Sequence, residues 1–100
     1  MSLSPNIKAV LEGNAECFLD CFPIQELQHK LRYRGILSDR QVEEIKNEKI
    51  ISDKRFYLLG ILLKERDDKD FYELCQLLQE NEVRTIKQFG DKMLNEAKGK

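Results

Sequence analysis

Four side chains in this sequence could take part in chemistry: the thiols of Cys17, Cys21 and Cys75, and the imidazole of His29. Cys17 and Cys21 are one helical turn apart, a spacing at which two thiolates can share a metal ion. A catalytic thiol needs a base within hydrogen-bond reach, and nothing in the sequence brings His29 beside a cysteine. Free cysteines commonly pack as small apolar side chains. We therefore expect no enzyme activity, no metal site and no cofactor, with buried free thiols and an exposed histidine.

The composition predicts one small domain that spans residues 1–100. Apolar residues make up 41% of the chain, enough for a core, and charged residues make up 35%. With 17 basic and 18 acidic residues the net charge is −1, so no overall positive field attracts a nucleic-acid backbone. The longest apolar stretch, residues 56–63, is far shorter than the roughly 20 residues of a membrane span. No signal-peptide pattern is present. We expect a cytoplasmic domain without a membrane partner.

The elements that must position any site are predicted to be helices. Leu, Glu, Lys, Gln and Arg dominate, only 5 glycines and 2 prolines occur, and no hairpin signal is found. Apolar residues three and four apart predict an all-α, six-helix antiparallel bundle. Gly13 and Asn14 predict a bend or a break in the first helix. The six helices are expected at about residues 5–22, 24–33, 38–49, 52–65, 68–80 and 83–97.

Three helix ends carry recognisable signals. Ser38 followed by Gln41 is a capping box that predicts the start of the third helix. Gly35 is a good residue to end the second helix, and Ser52 is predicted to cap the fourth. The fourth helix is apolar on almost every side, so we expect it to be buried centrally or to offer its extra face to a partner.

Several segments together resemble a known family. They are Gly35-Ile36-Leu37-Ser38, the charged segment Glu43-Glu44-Ile45-Lys46-Asn47-Glu48, the apolar Leu58-Leu59-Gly60-Ile61-Leu62-Leu63, and Phe71-Tyr72-Glu73-Leu74. In this order they resemble a caspase-recruitment domain (CARD) of the death-domain superfamily. The charged segment is most similar to the adaptor domain of apoptotic protease-activating factors. The resemblance covers nearly the whole chain and implies a six-helix death fold with a bent first helix. It also implies homotypic binding to another CARD-containing protein, or to a second copy, in apoptotic or innate immune signalling.

The charge pattern suggests how such a module would choose its partner. Residues 67–82 carry six acidic side chains against one lysine, whereas the second helix is basic. Opposite patches on one small body permit head-to-tail contacts, which close into rings or grow into filaments. Complementary charge would then set the partner and the register. The predicted partner-binding residues are Glu43, Glu44, Lys54, Arg55, Asp67, Asp68, Asp70, Lys30, Arg32 and Arg34.

One alternative from another functional class stays open at this stage. A small helical domain could bind nucleic acid with its basic second or sixth helix as the reading element. The net charge near zero and the acidic residues 67–82 argue against this alternative. We therefore expect a protein partner and no nucleic acid.

Overall fold

The computed structural model describes residues 2–99, and in that range every regular element is an α-helix. Seven helices follow one another: α1 (Pro5–Gly13), α2 (Ala15–Cys21), α3 (Ile24–Tyr33), α4 (Asp39–Asn47), α5 (Ile51–Glu65), α6 (Asp68–Gln79) and α7 (Arg84–Lys98). The all-helical prediction is confirmed. The predicted number of six helices differs from the seven observed, because the first predicted helix is divided into α1 and α2.

Asn14 explains the division between α1 and α2. Its backbone has φ −108° and ψ 11°, outside the helical range, and its side chain is buried. The Asn14 side-chain amide donates to the carbonyl oxygen of Val10 and to Glu96 Oε1, both at 2.8 Å. Lys92 Nζ donates to Asn14 Oδ1 at 2.5 Å. The asparagine that interrupts the helix therefore also links the junction of α1 and α2 to side chains of α7.

Two of the three predicted helix-end signals are confirmed and one is wrong. Ser38 and Gln41 form the reciprocal capping box at the start of α4. Gly35 has φ +78°, a left-handed conformation that glycine adopts without steric cost, and the chain turns there after α3. Ser52 does not cap α5. The helix begins at Ile51, one residue earlier, and Ile50 is the N-cap residue in an extended conformation.

The core joins all seven helices. Phe18 of α2 stacks on Phe22, with ring centroids 4.6 Å apart, and meets Phe89 of α7 edge to face at 6.4 Å. Leu62 of α5 and Leu78 of α6 are buried, as predicted from their positions at the apolar centres of their helices. Helix α3 packs on α4, α5 and α6, while α1 contacts α7 and α2 contacts α5. Within residues 2–99, no helix combines the length and apolar character needed to cross a bilayer.

Candidate docking surface on helix α5

Helix α5 presents apolar side chains on two sides. Leu58, Leu59 and Leu62 face the core and are buried. Phe56 points the other way, and 68% of its surface is exposed. An aromatic ring left in water forgoes the stabilisation that its burial would give. The fold of a single copy therefore leaves most of the Phe56 side chain in contact with water.

Phe56 borders an open groove of about 420 Å³. The apolar part of the groove is formed by successive turns of α5, with Tyr57, Gly60 and Ile61 beside Phe56. A methyl group added at Gly60 would meet no atom within 4 Å. Glycine inside a helix costs about 1 kcal/mol relative to alanine, and no intramolecular contact here requires it. The missing side chain keeps the floor of the groove open.

One wall of the groove is held by a hydrogen bond between α5 and α4. The hydroxyl of Tyr57 donates to Oε1 of Glu44. This bond, with burial, raises the pKa of Tyr57, because the carboxylate favours the protonated phenol. Arg40 lies 3.9 Å from the other carboxylate oxygen of Glu44, too far for a strong ion pair. The bond therefore fixes the Tyr57 ring along the groove.

The charged rim of the groove is mostly acidic. Glu48, Asp53 and Glu65 line it, and Lys64 is the one basic residue among its lining side chains. Glu43, one of the predicted partner-binding residues, is exposed on α4 and lies 3.6 Å from Lys46. An apolar floor with an acidic rim suits an apolar segment that carries positive charge.

Arg55 and Lys54, two predicted binding residues, are used inside the molecule. Arg55 Nε donates to the carbonyl oxygen of Phe22 at 2.6 Å, and Nη1 donates to those of Leu19 and Asp20 at 3.1 and 2.8 Å. The carbonyl groups in the last turn of a helix lack donors within the helix, and Arg55 supplies hydrogen-bond donors to them at the end of α2. Lys54 is only 8% exposed, so it is buried and offers little surface to a partner.

The three aspartates predicted to bind a partner also have internal hydrogen bonds. Asp67 and Asp70 form a reciprocal capping box at the start of α6, in which each carboxylate accepts from the other's backbone N–H at 3.2 Å. The bond to the Asp70 N–H lowers the pKa of Asp67, whereas burial raises the pKa of Asp70. Asp68 Oδ1 accepts from the backbone N–H of Ser4 at 2.8 Å and so ties the start of the chain to α6.

Two of the three predicted basic residues at the end of α3 lie in ion pairs. Arg32 Nε is 2.7 Å from Asp39. Arg34 reaches Glu73 at 3.2 Å and Glu80 at 2.8 Å, and these hydrogen bonds raise its pKa. Arg34 thus links α3 to α6. One residue of the basic patch, Arg34, and two residues of the acidic run, Glu73 and Glu80, therefore pair with each other within one copy.

A second basic region lies at the start of α7. Val83, the N-cap residue, is 50% exposed, and no acidic residue occupies the first turn of the helix. Among residues 2–99, the side chains of Arg84 and Lys87 form no hydrogen bond or ion pair, and the same is true of the Lys30 side chain on α3. Residues three apart share one helix face, so Arg84 and Lys87 project together, next to the N-cap residue Val83. We name Val83, Arg84 and Lys87 the α7 basic end.

The residues considered first for chemistry are dispersed except for one pair. Cys17 Sγ and Cys21 Sγ lie 3.4 Å apart, Cys75 is buried in α6, and His29 is exposed on α3. The prediction that the thiols are buried is wrong for Cys17, which is exposed, and half-right for Cys21, which is partly covered. Within the part of the chain that the structure describes, no three metal-binding side chains gather at one point.

Comparison with known proteins gives no further guide to this surface. No family model, no curated protein and no solved structure matches the chain.

Proposed function

We propose that this chain is a homotypic protein–protein interaction module of the caspase-recruitment type, and that the α5 groove is its docking face. The class of module comes from the resemblance of residues 35–78 to that family. The observation that carries the docking face is the 68% exposure of Phe56 beside the open groove. An exposed aromatic ring at the edge of an apolar cleft is typical of a binding surface.

A second copy of the chain is the occupant that the charges favour. The groove has an acidic rim at Glu48, Asp53 and Glu65, and the α7 basic end offers an exposed apolar residue beside two free cations. The positive end of the α7 dipole adds to this complementarity. Groove and α7 basic end are different surfaces of one chain, so the contact is head to tail and can propagate.

A nucleic-acid partner is less well supported than a protein partner. In the predicted second helix, one of the two possible reading elements, Arg32 pairs with Asp39, and Arg34 pairs with Glu73 and Glu80. A phosphate backbone would have to replace these pairs. A duplex DNA titration gives a separate test, because a true binder loses affinity steeply as salt rises.

The proposed contact is tested by self-association of two complementary variants. Gly60→Leu fills the groove, and the double variant Arg84→Glu/Lys87→Glu reverses the α7 basic end. Each variant alone is expected to weaken self-association at least tenfold in light scattering after size exclusion, which corresponds to about 1.4 kcal/mol. Mixed together they keep one intact groove and one intact α7 basic end, so they should form dimers that cannot grow further.

The control is Tyr33→Ser, which removes the most exposed large apolar side chain outside the groove among residues 2–99 (92% exposed). We expect its self-association to equal that of the natural chain, and rising salt to weaken association in both. A natural chain that stays monomeric at the highest protein concentration and the lowest salt contradicts a second copy as the occupant. Equal loss of association in Tyr33→Ser and Gly60→Leu would contradict the α5 groove as the docking face.

A further inference from the structure

The paired thiols of α2 form a surface feature that the proposed docking function does not use. Cys17 Sγ and Cys21 Sγ are 3.4 Å apart, within contact distance for two sulfur atoms. Their surroundings differ, since Cys17 is exposed and Cys21 is partly covered. Cys17 also lines a surface cavity of about 370 Å³ next to Asn14 and Lys92, which is open to small solutes.

We propose that Cys17 and Cys21 are an oxidisable dithiol, a modification site at which a hydroperoxide converts the two thiols into an intramolecular disulfide. In the first step the Cys17 thiolate attacks one peroxide oxygen and the O–O bond breaks. The leaving hydroxide takes up a proton, and Cys17 becomes a sulfenic acid. In the second step the Cys21 sulfur attacks the sulfenic sulfur and the S–O bond breaks. The Cys21 thiol proton passes to the departing hydroxyl group, which leaves as a second water. Two thiols and hydrogen peroxide thus give one disulfide and two waters, and the sulfurs lose two electrons.

The unequal exposure assigns the order of the two steps. Peroxide reaches Cys17 first because that thiol faces solvent. Burial and the contact with Cys17 raise the pKa of Cys21 to about 11, so Cys21 stays a protonated thiol at neutral pH and competes poorly for peroxide. Because the two sulfurs of the reduced chain lie 3.4 Å apart, the second step is intramolecular. The geometry favours ring closure over further oxidation of Cys17.

Closing the disulfide would act on the junction between α2 and α5. Residues four apart on a helix have Cβ atoms about 5–6 Å apart, whereas a disulfide needs about 3.5–4.5 Å. The last turn of α2 must therefore tighten, and Cys21 is its final residue. Arg55 holds the carbonyl oxygens of that turn, at Leu19 and Asp20. Oxidation should thus compete with these hydrogen bonds and loosen the attachment of α2 to α5.

The experiment exposes the reduced chain to hydrogen peroxide, quenches it with N-ethylmaleimide and maps the cysteines by mass spectrometry. We expect a Cys17–Cys21 disulfide within single chains, with the same yield in the Cys75→Ala variant. In Cys21→Ser, which lacks the resolving thiol, dimedone should trap the Cys17 sulfenic acid several-fold more than in the natural chain. In Cys17→Ser, oxidation of Cys21 should be slowed several-fold.

Two other products would overturn the dithiol assignment. They are irreversible sulfinic acid at Cys17 with Cys21 still reduced, and disulfides that join two chains through Cys17. The link to α5 has its own measurement, the thermal unfolding of the oxidised and reduced forms of the Cys75→Ala variant. A lower midpoint for the oxidised form supports the competition with Arg55, whereas an equal or higher midpoint overturns it.

Discussion

The guanidinium of Arg55 donates a 2.6 Å hydrogen bond to the carbonyl oxygen of Phe22, the C-cap residue that follows α2. Helices often end with a glycine that turns the chain and satisfies the last carbonyls. Here Pro23 follows, and a side chain from α5 supplies the missing donors instead. An arginine that looks like a surface contact in the sequence therefore holds two helices together.

Replacing Arg55 should lower stability before it affects any binding. Arg55→Ala removes three hydrogen bonds from a charged donor to α2 carbonyls, and we expect unfolding to become easier by about 1–3 kcal/mol. Urea denaturation followed by circular dichroism measures this change. The matched control is Arg32→Ala, which breaks an exposed ion pair with Asp39 and should cost under about 0.5 kcal/mol. Equal effects of the two substitutions would show that Arg55 does not cap α2.

Gly60 and Gly90 should respond in opposite directions to the same substitution. Gly60→Ala adds a methyl group that meets no neighbour, so it should stabilise the chain by about 0.5–1 kcal/mol through better helix propensity. At Gly90 the added Cβ would lie 2.8 Å from Leu78 Cβ and 2.9 Å from the Cys75 carbonyl oxygen. Gly90→Ala should therefore force α6 and α7 apart at a cost of about 1–3 kcal/mol. Thermal melts of the two variants test the contrast, and two shifts of the same sign would contradict it.

The adjacent carboxylates of α4 are also expected to behave differently. Glu43→Lys alters an exposed side chain whose one ion-pair neighbour is Lys46, so stability should change by under about 0.5 kcal/mol. Glu44→Lys removes the acceptor of the Tyr57 hydroxyl and places a cation near Arg40. It should cost about 1 kcal/mol and bring the pKa of Tyr57 back toward its ordinary value of 10.0. Alkaline titration of tyrosine absorbance measures the second effect, and an unchanged titration would contradict the Tyr57–Glu44 bond.

The sequence predicted well the features that depend on residues close together along the chain. The Ser38–Gln41 capping box needs two residues three apart, and the buried faces of α5 and α6 follow the 3.6-residue helical period. The break at Asn14 was also expected, because glycine and asparagine weaken a helix wherever they occur. The hydrogen bonds that Asn14 makes to Lys92 and Glu96 were not foreseen, because these partners lie 78 and 82 residues further along the chain.

The candidate site was harder to predict because it depends on which faces are left uncovered. The all-round apolar character of α5 indicated two apolar faces, but only the packing of the other helices decides that Leu62 is buried and Phe56 exposed. Charge alone was a weaker guide. Arg34 and Glu80, predicted as opposite patches for a partner, meet at 2.8 Å within one copy.

The central leucines of α5 and α6 should carry much of the stability. Leu62 and Leu78 are 1% and 0% exposed. Truncation of either to alanine removes buried methyl groups and leaves a cavity, so we expect a loss of about 2–5 kcal/mol. Such a loss is a large share of the roughly 5–15 kcal/mol that stabilises a small domain. A melting temperature unchanged by Leu62→Ala would refute the burial of this face of α5.

Alkaline pH should destabilise the chain partly through Cys75. Burial raises the pKa of this thiol from 9.0 to about 12 in the folded state. Between these values the unfolded chain has lost a proton that the folded chain retains, so the free energy of unfolding falls as pH rises. The contribution of Cys75 is complete below pH 9 and is lost through pH 12, at no more than about 1.4 kcal/mol per pH unit.

The raised pKa values of Cys21 and Tyr57 act in the same direction, so the comparison must isolate one thiol. Urea denaturation of the natural chain and of Cys75→Ala across this pH range does so. The variant should start less stable, because it loses the buried sulfur, and its stability should fall less steeply with pH. Parallel curves for the two proteins would mean that the Cys75 thiol ionises as readily in the folded chain as in the unfolded one.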